Sequence, residues 1–110
     1  MLVVSLCAVG LSANVVAQQT NEFRVVATEF SFKPSRVKVP LGEVKISVTN
    51  RGQFPHGVAI EGRNEKIGYI ESGETESLTL RLDQPGEIVF YCPQPGHRRK
   101  GMEGRLTVGK

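Results

Sequence analysis

The sequence predicts an all-β domain, a β-sandwich of about seven to eight short strands with antiparallel pairing. Several short runs alternate apolar with polar residues, clusters of Gly, Pro and Asn separate those runs, and no stretch sustains a helical period. Composition agrees: twelve glycines and six prolines in 110 residues, with no tryptophan, suit many turns rather than long helices. A chain of this length is one domain and buries a core without a covalent staple.

Taken in order, the first 17 residues, MLVVSLCAVGLSANVVA, carry no charged side chain and end in small residues before Gln18. That is a signal-peptide pattern, with cleavage expected after Ala17 and an exported domain over 18–110. Ser12 and Asn14 interrupt the apolar run before the ~20 residues that a membrane-spanning helix needs. Membrane contact is therefore expected only through an uncleaved N-terminus, and Leu6 ahead of Cys7 disfavours a lipid anchor there. FRVVAT and RVKVP read as the first strands, parted by KPS. After the PLGE turn, EVKISVT alternates cleanly, with Val44, Ile46 and Val48 on one face. NRGQFP turns the chain into GVAI. The segment EGRNEKIGYIESG, Glu61 to Gly73, has no clean pattern and reads as an irregular connection or a short helical turn. SLTLRL then repeats the alternation with Leu78, Leu80 and Leu82. Beyond DQPGE, EIVFYC sets Cys92 on the inward side with Ile88 and Phe90, and RLTV closes the sandwich after the PQPG turn.

Charge is unevenly spread. The chain carries 14 basic and 11 acidic residues, net +3, and removing residues 1–17 changes nothing. Residues 61–76 hold five glutamates against Arg63 and Lys66, net −3, whereas residues 92–110 hold five basic residues against Glu103, net +4. The basic residues are not interleaved with aromatics and no groove-reading motif appears, so nucleic acid is not an expected partner.

After cleavage Cys92 is the only cysteine, in an oxidising compartment where an unpaired thiol tends to be lost. A retained thiol needs a role. The chain has two histidines and, besides Met1, one methionine, and Cys92, His97 and Met102 fall within eleven positions with four residues between each pair. His56 lies 36 residues before Cys92, so only a folded sandwich brings it to the same place. Two imidazoles and a thiolate in a trigonal plane, with a weak axial thioether, form the blue-copper arrangement, which suits Cu(I) and Cu(II) almost equally. Structural zinc is the alternative metal, but it favours several thiolates and has no use for Met102. A catalytic Cys-His pair is a third reading, for which no third group stands ready to orient the histidine.

The segments NRGQFPHGVAI, PGEIVFYC and GHRRKGMEGRLTV resemble those of the cupredoxin family, the plastocyanin- and azurin-like blue copper proteins, from about Phe23 to Val108. The resemblance implies a Greek-key β-sandwich with one type 1 copper ion held by His56, Cys92, His97 and Met102. Many family members follow the upstream histidine with Asn or Ser, whose side chain ties that loop to the cysteine loop. Here the position is Gly57. Pro93 and Pro95 also remove two backbone donors from the ligand loop, and fewer donors near a thiolate favour Cu(I), so the expected potential is moderately high.

The function implied is soluble electron transfer, with copper delivery through the same ligands as the alternative. Catalysis is not expected: multicopper enzymes need further histidines, and a dinuclear centre needs a second cysteine in the loop. In the family the counterpart of His97 is the exposed edge through which electrons leave, set in an apolar patch. Arg98, Arg99 and Lys100 would crown that patch here, which implies a redox partner with an acidic docking surface and an association that weakens with salt. A monomer in the periplasm or outside the cell completes the expectation.

Overall fold

The computed structural model describes residues 21–109. The expected signal segment, its cleavage point at Ala17 and Cys7 lie outside the described residues. Nine strands follow in order: β1 Asn21–Thr28, β2 Ser31–Lys33, β3 Arg36–Pro40, β4 Gly42–Asn50, β5 His56–Ile60, β6 Lys66–Ile70, β7 Thr75–Leu82, β8 Gly86–Tyr91 and β9 Glu103–Gly109. They form two sheets, one ordered β2-β1-β4-β7 and the other β3-β9-β8-β5-β6. Among the described residues no helix is long and apolar enough to cross a membrane.

The period-two runs supply the two inner faces. Val44, Ile46 and Val48 of β4 and Leu78, Leu80 and Leu82 of β7 come from one sheet, and Val37, Val58, Ile60, Phe90 and Leu106 from the other, all in a single buried cluster. β4 pairs with β7 so that Val44 faces Leu80 and Ile46 faces Leu78, and β8 pairs with β9 so that Ile88 faces Leu106. Phe32 of β2 reaches across the layers to Phe90 of β8, ring centroids 5.1 Å apart. Each such side chain contributes about 1.5–3 kcal/mol through burial. Ser47, on the polar face of β4, is nonetheless buried, and its hydroxyl donates to Glu22 Oε2 at 2.7 Å.

All seven strand runs read from the sequence are present, and two features differ from expectation. The pairing is not wholly antiparallel: β1 runs parallel to β4, and β3 parallel to β9. The chain leaves the first sheet after β2, lays β3 in the second and returns as β4, and a crossing of that kind sets down a parallel neighbour. The patternless segment Glu61–Gly73 contains β6, antiparallel to β5. His56 faces Ile70 while Val58 faces Ile67, so β6 has one residue more than β5 between the pairs. That bulge puts the apolar positions three apart and erases the two-residue period. β2, three residues long, is too short to show a period at all.

Candidate metal centre

His56 opens β5, Cys92 directly follows β8, and Met102 immediately precedes β9, so the sandwich brings all of them to one end. The loop before His56 is held by Asn50, itself fully buried. Its amide nitrogen donates to the carbonyls of Phe54 at 2.9 Å and Ile70 at 2.8 Å, and its side-chain oxygen accepts the Gly52 N–H at 2.8 Å. Gly57 lies so close to β6 that a Cβ would collide with the Ile67 carbonyl. A side chain after His56 would force β6 to shift, so the clamp that Asn or Ser would provide is absent here.

The cysteine loop closes on itself. Cys92 N–H donates to the Met102 carbonyl at 3.1 Å, Met102 N–H to the His97 carbonyl at 3.2 Å, and His97 N–H to the Gln94 carbonyl at 3.1 Å. A short 3-10 turn, Arg98–Lys100, ends at Gly101, whose φ of 100° lies in the left-handed region that favours glycine. The turn sends the chain inward, so that Met102 is fully buried and belongs to the same core cluster as Cys92.

His56, Cys92 and His97 each direct one ligand atom to a common point, and the three atoms lie within 4.8 Å of one another. Cys92 Sγ is 3.9 Å from His56 Nδ1 and 3.4 Å from His97 Nδ1. Bonds of ~2.1 Å to imidazole and ~2.3 Å to thiolate, opened to a trigonal angle, need nitrogen and sulfur ~3.8 Å apart. The observed separations bracket that value. His56, Cys92, His97 and Met102 are positioned to bind one copper ion, and the donors are soft thiolate and thioether with imidazole, as copper prefers.

Burial pushes the Cys92 thiol up from its ordinary value, while the backbone amides of Gln94 and Gly57 act in the opposite sense. Pro93 and Pro95 have no N–H, yet Gln94 between them brings its own to the sulfur. The loop is thus less poor in donors than its two prolines suggest. His97 is held below its ordinary value, first by burial and then by the neighbouring His56.

One residue of the site is not evident in the sequence. Glu29, on the turn between β1 and β2, accepts a hydrogen bond from His56 Nε2 at 2.8 Å. It also accepts the N–H groups of Gln53 at 2.9 Å and Phe54 at 3.0 Å. Because an ionised carboxylate only accepts, Nε2 carries the proton and Nδ1 is left free to face Cys92. Those backbone bonds to Phe54 and Gln53 hold the Glu29 carboxyl down to about 2. Only an acidic residue in a turn between apolar strands marks it in the sequence, 27 positions before its partner.

His97 reaches the edge of the site in a T-shaped contact with Phe30, centroids 4.9 Å apart, and Phe54 packs beside Phe30 while itself 53% exposed. Lys100 lies 5.4 Å from the Phe30 ring centre. The expected crown of three free cations is reduced. Arg98 Nε donates to Glu103 at 2.7 Å, its other end pairs with Glu61, and its guanidinium stacks 4.2 Å over Tyr91. Its charge is neutralised within the chain, whereas Arg99 and Lys100 are exposed.

Residues 1–108 match the family model described as a Cupredoxin-like domain. Plastocyanin of Daucus carota is 34% identical over 87 residues, which cover 70% of this chain and 86% of that protein. Auracyanin-B of Chloroflexus aurantiacus is 44% identical over 39 residues, 36% of this chain and 17% of that one. The crystal structure of dithionite-reduced auracyanin from Roseiflexus castenholzii superposes with a TM-score of 0.73 at 19% identity, covering 82% of this chain and 98% of the other, which shows a shared fold.

Proposed function

The chain belongs to the cupredoxin-like domain family, and from that premise we propose that it is a type 1 blue copper electron carrier. His56 Nδ1, Cys92 Sγ, His97 Nδ1 and the Met102 thioether would hold the ion. Copper, when bound, supplies a one-electron couple between Cu(I) and Cu(II). The residues supply a site whose two loops are braced by their own hydrogen bonds. The observation that carries the reading is the convergence of three ligand atoms within 4.8 Å from two separately braced loops. A preset geometry leaves little to reorganise when one electron enters or leaves.

His97, at the rim with Phe30 and exposed Phe54, is the electron exit. Arg99 and Lys100 beside it select a protein with an acidic face. The uncharged apolar run over residues 1–17 supports export to the periplasm or beyond, where burial of Cys92 would shield its thiol from oxidation.

Titration of the purified protein with Cu(II), followed by visible absorption beside a Cys92→Ser variant, tests the reading. An intense blue thiolate-to-copper band that is lost in the variant, with reversible reduction, is the expected result. A colourless protein that holds Cu(I) without redox turnover would instead make it a delivery protein. No copper binding would overturn both.

A further inference from the structure

The His56 imidazole has two ends, and the ligand role accounts for one. Nδ1 faces Cys92, while Nε2 donates to Glu29 at 2.8 Å from a ring that is fully buried. The partner is not a neutral backbone carbonyl but a carboxylate delivered from the turn of the opposite sheet. Gly52 makes room for it, since a Cβ there would collide with the Glu29 carboxylate.

We propose that Glu29 is a positioning residue of the copper centre that fixes the His56 tautomer, strengthens Nδ1 as a donor and thereby lowers the potential of the site. A carboxylate behind a metal-bound imidazole pulls on its N–H and makes the far nitrogen more basic. A more basic nitrogen favours the more highly charged ion, so Cu(II) gains more than Cu(I). The hydrogen bonds from Gln53 and Phe54 lock the carboxylate in position, and they couple the β1–β2 turn to the loop that carries His56. The ordinary alternative is a loop brace: Glu29 holds residues 52–54 and touches His56 incidentally. The two differ in what they predict for the potential.

The inference rests on the copper reading, and its test separates the two. Copper-loaded wild type, Glu29→Gln and Gly52→Ala are compared by voltammetry and by Cu(II) and Cu(I) competition with chelators. Glu29→Gln keeps the shape and removes the charge. Gly52→Ala keeps Glu29 and pushes its carboxylate off His56 by displacing the end of a flexible side chain, so it serves even if the first variant folds poorly. Both should retain the blue band, hold Cu(II) about tenfold more weakly with Cu(I) nearly unchanged, and raise the midpoint by ~59 mV, the one-electron equivalent of that factor. Unchanged potentials in both variants, with lowered stability of the metal-free protein, make Glu29 a loop brace and overturn the inference alone. A wild type that takes up no copper overturns the copper reading and the inference with it.

Discussion

His56 Nδ1 stands 3.9 Å from Cys92 Sγ although 36 residues separate them in the chain. Their approach is a product of sheet order: β5, which His56 begins, lies beside β8, which Cys92 follows, with Ala59 opposite Tyr91 and Ile60 opposite Phe90. The site therefore inherits the rigidity of a central strand pair.

Replacing Cys92 by serine should abolish the thiolate absorption while leaving the fold intact. Serine is close in size, and its hydroxyl can bond the nearer imidazole, that of His97, whose Nδ1 lies 3.4 Å from the sulfur it replaces. Circular dichroism like that of the wild type, beside a colourless Cu(II) complex, is the expected pair of observations.

Met102→Leu preserves volume in a fully buried position, so it should cost less than about 1.5 kcal/mol of stability. Without an axial thioether the more highly charged ion loses a donor. The midpoint should rise in voltammetry, and a fall would exclude Met102 as a ligand.

Asn50→Ala should destabilise the metal-free protein by about 3 kcal/mol in urea unfolding. The change strands two carbonyls, Phe54 and Ile70, and the Gly52 N–H, and buried groups left without partners cost about 1–3 kcal/mol each. Slower or weaker Cu(II) binding should accompany it, because the same bonds steady the loop before His56.

Acid should loosen the metal-free protein through Glu29. Its carboxyl titrates at about 2 in the fold against an ordinary 4.5, so its stabilising effect is fully present above pH 4.5 and is lost as pH falls towards 2. Glu29→Gln should flatten that part of the stability profile. Equal acid slopes in the two proteins would contradict it.

Docking should depend on Lys100 and Arg99 and little on Arg98. Charge reversal at Lys100 or Arg99 should slow electron exchange with an acidic redox protein by about tenfold at low ionic strength, and added salt should shrink the difference. Arg98→Ala breaks pairs with Glu61 and Glu103. Its main effect should be a loss of up to about 1 kcal/mol of stability, since these pairs are partly exposed.

From the sequence alone came the strand runs, the inward parity of Cys92, and the Cys92, His97 and Met102 spacing, all legible because a period of two and a loop spacing are local properties of the chain. His56, 36 positions upstream, joined them through the family resemblance of NRGQFPHGVAI. Only the tertiary structure decided the parallel pairs, the bulged strand β6 inside a patternless segment, the neutralisation of Arg98 and the placement of Glu29 behind His56. Each of these depends on which surfaces meet when two sheets close on one another. Glu29 lies 27 positions from His56 on the turn of the other sheet, and no local pattern encodes a contact that exists only across the packed layers.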